Sequence, residues 1–460
     1  MKGKKITVMG LGLHGGGIGT VRFLSEIGAQ VVVTDLKSKE ELAPSLKKLA
    51  GLKNVTYVLG QHWPEDFKKV DMVIKTPPVP WTNKYIKMAL ESNVSVEIDS
   101  SLFFKFCRNL IIGVTGTKGK TTTAHLIYKI LEAAGISAVE VGVSQISVLD
   151  KLKDLKKDSV VVFELSSWRL SALGKHKLSP QIAVITNIFP DHLNYYKSME
   201  EYIKDKKNIF LYQNRKDSSV INGDNAIMRQ FEGEIKSQLI KFSKNKVSKG
   251  KSVGIDNGII YFSDGIDERK VMEVREIKLR GEHNLENVLA AIAATCAAGV
   301  KLEIIRKVIL EFEGIPNRLE LVREVNGVKF INDTSATTPE AAIGGINSFS
   351  EPIILIAGGS DKNLDMTTFA KIIRDKVRKV IFLKGPATDK IISAIKEMDN
   401  NSANSEFKIV GSMEEAVMLA QKETEKGDVV LLSPGAASFG LFTNEFDRGD
   451  KFREAVNRLN

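Results

Sequence analysis

Asn109-Leu-Ile-Ile-Gly-Val-Thr-Gly-Thr-Lys-Gly-Lys-Thr-Thr-Thr123 decides the fold. The apolar, β-branched run Leu110, Ile111, Ile112 and Val114 reads as a buried strand. It breaks at Gly116 and Gly119, and an Ala/Leu/Ile-rich helical stretch follows to Ala134. That order of strand, glycine loop and helix suits an anion, because glycines let backbone N–H groups turn inward and the helix N-terminus adds partial positive charge. Thr117, Lys118 and Thr122 complete the loop, Lys120 would reach the outer phosphates of ATP, and the Thr121 hydroxyl would sit on Mg²⁺. Val114 stands where the general phosphate-loop pattern has its first glycine, so this is a shortened variant. A Gly/Lys-rich surface turn is the competing reading, and the flanking strand and helix weigh against it.

The bulk properties bound the answer. A chain of 460 residues suggests about three domains. With 43% hydrophobic and 27% charged residues it has the composition of a globular protein, and no apolar run is long enough to span a membrane. The basic start Met1-Lys-Gly-Lys-Lys5 runs into a glycine loop without a cleavage site, so a cytoplasmic location is expected. Cys107 and Cys296 offer neither a disulfide framework nor a cysteine metal site. The net charge of +10 suits anionic nucleotides, but the lysines are scattered without aromatic interleaving, so no nucleic-acid partner is expected.

Upstream of the loop, the strand Ile6 to Met9 leads into Gly10-Leu-Gly-Leu-His-Gly15, a helical stretch, and a strand ending at Asp35. A glycine turn with an acid at the next strand's end can hold a diphosphate on amides and a ribose on a carboxylate. Nicotinamide enzymes share that weak signal. Strand candidates at 55–59, 72–75 and 94–98 continue the α/β alternation, broken once by Thr76-Pro-Pro-Val-Pro80.

Downstream, a strand at 159–163 ends in Glu164, and a strand at 182–186 leads to Asp191-His192. Carboxylate and histidine at strand ends beside a phosphate loop make a candidate Mg²⁺ shell, although a solvent-facing Glu and a structural His are the ordinary readings of each alone. A basic amphipathic helix is expected over 199–210. Arg280-Gly-Glu-His-Asn-Leu-Glu-Asn-Val288 opens an Ala-rich helix that must pack closely on a neighbour, and helix capping is the ordinary reading of Asn284. Gly314-Ile-Pro-Asn-Arg-Leu-Glu320 punctuates before strands resume at Val328.

Thr115-Gly-Thr-Lys-Gly-Lys-Thr-Thr122 resembles the ATP loop of the Mur ligases, amide-forming enzymes that add amino acids to the peptidoglycan precursor. Tyr202, Lys206 and Ile209 keep the spacing of the family's lysine helix, with Lys207 one place away. Gly281 to Asn287 resembles its Gly-x-His-Asn-x-x-Asn motif, and Asn332-Asp-Thr-Ser-Ala-Thr-Thr-Pro339 its hinge motif, with Ser335 in place of a lysine. Ser144-Gln-Ile-Ser147 stands where the family has Gly-Asn-Ile-Gly.

The resemblance implies an α/β fold of three domains: 1–108, Rossmann-like, binding a UDP-sugar; 109–314, a central phosphate-loop domain with a mainly parallel sheet, binding ATP; and 315–460, Rossmann-like, binding the amino acid. It implies two Mg²⁺ ions held by Thr121, Glu164, His192 and a carbamylated Lys206, with Lys120, His192 and Lys206 catalytic. ATP would also meet Asn284, Asn287, Arg318 and, at its ribose, Asp333. The carrier, UDP-N-acetylmuramoyl-L-alanine, would meet Gly10, Gly12, Leu13, His14, Gly15, Asp35 and Gln145. In the D-glutamate-adding branch the amino acid is gripped at positions matching Thr337, Lys362, Ser438, Phe439 and Phe446. ATP-driven ligation through an acyl phosphate, by a monomer, is the implied activity. The alternatives are a related ligase for another amino acid or carrier, a nicotinamide oxidoreductase, and a non-catalytic nucleotide-binding protein.

Overall fold

The N-terminal strands β1 (Lys5–Met9), β2 (Gln30–Asp35), β3 (Val55–Leu59), β4 (Met72–Lys75) and β5 (Ser95–Glu97) pair in parallel in the order β3-β2-β1-β4-β5. This is the doubly wound arrangement expected from their alternation with helices. In the computed structural model the described residues are 1–13, 15–143, 147–190, 196–247, 249–279, 281–361, 364–398 and 407–459. Met1–Lys278 with Glu282–Phe312 forms one compact unit, and Leu279–Gly281 with Glu313–Asn460 a second.

The first unit holds a second sheet. Its strands are β6 (Leu110–Thr115), β7 (Ala138–Val141), β8 (Val160–Glu164), β9 (Ile182–Ile185), β10 (Ser218–Asn222), β11 (Gln238–Phe242), β12 (Lys251–Asp256), β13 (Ile259–Asp264) and β14 (Glu268–Glu273), ordered β14-β13-β12-β11-β10-β9-β6-β8-β7. From β7 to β12 the pairing is parallel; β13 and β14 add an antiparallel edge. Apolar side chains bury both faces of β6, as a central parallel strand requires. The Ala-rich helix Glu282–Ala297 packs on the phosphate-loop helix Lys120–Ala133. Its small side chains allow the close approach read from the sequence.

Residues from the two sheets share one core. The helix Asp99–Phe106 joins them, with the Phe103 and Phe163 rings edge to face at 5.2 Å. Gly19, on the helix Gly15–Glu26, meets the segment at Ser147 so closely that a Cβ there would fall 2.1 Å from the Ser147 Cβ. Glu97, at the end of β5, is fully buried against His176 (3.0 Å), Lys105 and the Ser101 hydroxyl (2.6 Å). Burial pushes its carboxyl up, but hydrogen bonds from His176, Lys105 and Ser101 outweigh that and hold it down to about 2.

The second unit contains β15 (Glu320–Val325), β16 (Val328–Asn332), β17 (Ile353–Gly358), β18 (Val377–Leu383), β19 (Lys408–Val410) and β20 (Val429–Leu432), ordered β15-β16-β20-β17-β18-β19. All pair in parallel except β15, a strand ahead of the expected resumption at Val328. The Asn326-Gly327 turn, with φ of 52° and 78°, joins it to β16, and Asn257-Gly258, at 47° and 77°, makes the β12–β13 turn. Both are hairpin turns that need positive φ at two successive residues.

Replacing Glu97 by Gln should cost about 2 kcal/mol, because it removes the charge from a buried acceptor of hydrogen bonds from Ser101, His176 and the partly exposed Lys105. Urea unfolding of the variant at neutral pH checks this, and an unchanged midpoint would show that the pairs contribute nothing.

Candidate active site around the phosphate loop

The loop after β6 is fixed from three sides. Gly116, at φ 154°, has the Thr186 hydroxyl 1.9 Å from where a Cβ would lie. Thr186 Oγ1 donates to the Lys118 carbonyl at 2.5 Å, while the Asn187 carboxamide oxygen accepts from Lys118 N at 2.8 Å and its carbonyl from Thr117 N at 2.9 Å. Gly119, at φ 83°, caps the helix Lys120–Ala133 and lies against Asn287, whose Oδ1 would fall 2.0 Å from a Cβ. Asn287 in turn donates to Asn284 Oδ1 at 3.1 Å. The resemblance implies that these asparagines lie near the nucleotide; in the fold Asn287 also backs Gly119 of the loop, with Asn284 hydrogen-bonded behind it. Their helix starts at Glu282, so Asn284 sits inside its first turn and does not cap it.

Two ammonium groups converge on one carbonyl. Lys120 Nζ folds back to Gly116 O (3.1 Å) and Thr117 O (3.0 Å), and Lys206 Nζ lies 2.9 Å from the same Gly116 O. Lys206 is 1% exposed, on the helix Met199–Lys207, with its ammonium 4.7 Å from the Tyr202 ring centroid. Lys207 turns away to Glu234 and the Phe231 ring. The neighbouring lysines are thereby told apart by direction. Thr117 Oγ1 meets the Tyr202 hydroxyl at 3.1 Å, and Thr121 and Thr122 occupy the helix's first turn, half-buried.

Glu164 ends β8, next to β6, and its Oε2 is buried with no hydrogen-bond partner. An orphaned carboxylate oxygen at the end of the strand paired with β6, which leads into the phosphate loop, fits a hard cation such as Mg²⁺, which takes oxygen ligands. Among the described residues no three His, Cys, Asp or Glu side chains cluster. His192 lies outside the described residues, as do His14, Gln145 and Lys362.

At the N-terminal glycine turn, Asp35 Oδ2 accepts from Leu11 N (2.8 Å) and Gly12 N (3.0 Å), and Oδ1 from Lys37 N (3.0 Å). Its carboxylate therefore holds the turn itself, a role the sequence reading, which gave it a ribose, did not foresee. Gly10 and Gly12 take positive φ, Gly15 opens the following helix, and Leu13 is exposed.

In the second unit the strand-end loops are drawn together by Arg448, on the helix Glu445–Asn457. Fully buried, it donates to Thr334 Oγ1 (2.9 Å), Thr334 O (3.0 Å) and Ala436 O (3.2 Å), and burial lowers its pKa to about 10. Ser360 pairs with Ala437 through two backbone hydrogen bonds. These bonds bring the loops bearing Thr337, Ser438, Phe439 and Phe446 into one cluster; Ser438 is buried, and Phe439 and Phe446 are exposed. The sequence analysis gave Arg448 no role. Its neighbours in Phe446-Asp-Arg-Gly449 were the available signal.

Asp333 follows β16 and accepts from Ser433 Oγ (2.7 Å) and Leu319 N (3.3 Å). Burial pushes its carboxyl up to about 7, against the lowering effects of those hydrogen bonds and of Arg318, whose side chain is exposed.

With this geometry in hand, the relatives can be placed. Residues 4–97 match the Mur ligase MurD-like N-terminal domain, 114–295 the Mur ligase middle domain, and 317–435 the Mur ligase, glutamate ligase domain. A UDP-N-acetylmuramoylalanine--D-glutamate ligase of Roseiflexus sp. (strain RS-1) is 40% identical over 466 residues, covering 99% of both chains. One from Acetivibrio thermocellus is 37% identical, covering all of this chain and 97% of the relative. Among solved structures, a UDP-N-acetylmuramate-alanine ligase from Thermotoga maritima shares the fold at a TM-score of 0.58 and 21% identity, over 99% of each chain. A MurF ligase from Thermotoga maritima in complex with ADP does so at 0.56 and 16%, over 100% of this chain and 96% of that one.

Because Asp333 binds its proton more tightly folded than unfolded, its share of stability is present below about pH 4 and lost as pH rises through about 7. Asp333→Asn should therefore cancel a decline of roughly 1.4 kcal/mol per pH unit across that window. Urea titrations of both proteins from acid to neutral pH check it, and parallel pH profiles would refute the burial effect. By its three domains and its full-length relatives, the chain belongs to the Mur ligase family.

Proposed function

We propose that this chain joins D-glutamate to UDP-N-acetylmuramoyl-L-alanine at the expense of ATP, a cytoplasmic step of peptidoglycan precursor synthesis. The observation that carries the reading is the extent of the similarity: relatives of that name match this chain end to end, including the C-terminal loops that would take the amino acid. The phosphate loop supplies the means.

In this reading the loop amides and Lys120 hold the ATP phosphates, and the γ-phosphoryl group passes to the alanyl carboxylate, giving ADP and an acyl phosphate. The glutamate amine then attacks the acyl carbon, phosphate leaves, and the amine proton is released. Positioning and electrostatics suffice for such a transfer, with no covalent enzyme intermediate. Mg²⁺, which Thr121 and Glu164 would hold, with His192 and a carbamylated Lys206 at a second ion, supplies charge neutralisation at the phosphoryl oxygens. Asn284, Asn287 and Arg318 are proposed for the nucleotide and Asp333 for its ribose. The turn from Gly10 to Gly15, Asp35 and Gln145 are proposed for the carrier, and Thr337, Lys362, Ser438, Phe439 and Phe446 for glutamate. A dicarboxylate needs such a cation and hydroxyl to offset its desolvation. The enzyme is proposed to act as a monomer.

Ser335, in place of the hinge lysine, favours testing other amino acids beside D-glutamate. Phosphate release from Mg·ATP should require both the nucleotide-sugar and D-glutamate, and Lys120→Ala should lower turnover at least ~100-fold. Release with a different amino acid would move the specificity, and a near-normal rate for Lys120→Ala would overturn the site.

A further inference from the structure

The order β3-β2-β1-β4-β5 reverses direction between β1 and β4, and in open parallel sheets ligands gather outside the strand ends at that point. Met9 pairs in register with Lys75 there, so the glycine turn after β1 and the end of β4 that carries Lys75 border one crevice. A cavity of about 60 Å³ lies in it, lined among others by Gly10, Gly16, Gly17, Lys75, Thr76 and Asp99.

Lys75 is 1% exposed, yet among the described residues no carboxylate stands within ion-pair distance. Its Nζ donates to Val79 O at 2.8 Å and Pro77 O at 3.4 Å, and lies 4.7 Å from the Trp81 ring centroid. Burial lowers its pKa to about 8, opposed by the more distant charges of Asp99 and Asp205. The carboxylate on the cavity wall, Asp99, is engaged elsewhere, accepting from Ser100 N at 2.6 Å and facing Arg169 at 3.4 Å. The crevice thus presents a glycine turn, the N-terminal end of the 12-residue helix Gly15–Glu26, and a buried ammonium whose charge no ion pair cancels. Carbonyl oxygens hold that charge in place without neutralising it, which leaves it for an anion.

We propose that Lys75 is a specificity residue for the carrier, its ammonium taking the diphosphate of a nucleoside-diphosphate sugar over the glycine turn. This rests on the carrier reading above and adds to it a residue outside the glycine motif. The loop that holds Lys75 also reaches the helix Ser167–Lys175, where Trp81 Nε1 donates to Ser171 Oγ at 3.1 Å. That helix starts three residues after Glu164.

Calorimetric titration of the full-length protein with UDP and with uridine tests the proposal. Lys75→Met keeps the length and apolar stem of the side chain while removing its charge. It should weaken UDP binding at least about tenfold and leave uridine binding unchanged, since hydrogen bonds to a charged group are the strong ones. A purely structural role for Lys75 would move both ligands together. Unchanged UDP affinity in the variant, or equal losses for both ligands, overturns the inference. Should Lys75→Met not fold, the wild-type protein carries the test. At about pH 8.5, where UDP is fully ionised, binding should draw a proton onto Lys75, read as a dependence of the heat on buffer ionisation. No proton uptake overturns it. Failure of the wild-type protein to bind UDP at all would overturn the carrier reading as well, so the two failures are distinguishable.

Discussion

The Thr186 hydroxyl occupies the space that a side chain on Gly116 would need, and the phosphate loop owes its shape to that contact. Gly119 stands in the same relation to Asn287. Each glycine is thus required twice, by its backbone angle and by a neighbour pressed against it. The neighbours come from the end of β9 and from the Ala-rich helix, so the loop is set by the central sheet and its helical cover together. A loop held this way has its amides aimed before any phosphate arrives, and little reorganisation is left for the reaction to drive. Lys120 and Lys206 both donate to Gly116 O, so two long side chains from different helices fix the same carbonyl of the loop.

Buried cations recur with one design. Lys75, Lys206 and Arg448 are among the largest fully buried side chains, one beside each sheet, and each donates to backbone carbonyls of a strand-end loop. Carbonyl dipoles share the load of holding these side chains inside the fold. In the second unit the same device has a mechanical result, since Arg448 binds the loop after β16 to the loop after β20 through Thr334 and Ala436.

The loop, its lysine and the strand-end carboxylate could be read from the chain because their chemistry is local. Glycine spacing, a β-branched run and a following helix sit within fifteen residues. What could not be read is what comes from far away in sequence. Thr186 and Asn187 follow an ordinary apolar strand, and only the sheet order, which sets β9 beside β6, reveals them as supports of the loop. Asp35 is similar: an acid at a strand end suggests a ribose, and nothing in the local sequence says that its carboxylate also accepts from the Leu11 and Gly12 amides. The Asn257-Gly258 and Asn326-Gly327 hairpins were legible, since that dipeptide marks a tight turn between strands. The prevailing α/β alternation hid them.

Departures from the family pattern are best judged by whether their surroundings compensate. Ser147, where the family loop has glycine, packs against Gly19, whose missing side chain provides the room, and Arg22 and Asp150 pair beside it at 3.5 Å. A serine with a matched glycine across from it preserves the approach of helix and loop, so this change is structural. At Ser335, which stands where the family has a lysine, the backbone N–H bonds to Asn317 O, next to Arg318. Arg448 cannot substitute, because its guanidinium is fully committed to Thr334 and Ala436. The loops after β17 and β20 are tied together through Ser360 and Ala437, and the only cation in their sequences is Lys362, after β17.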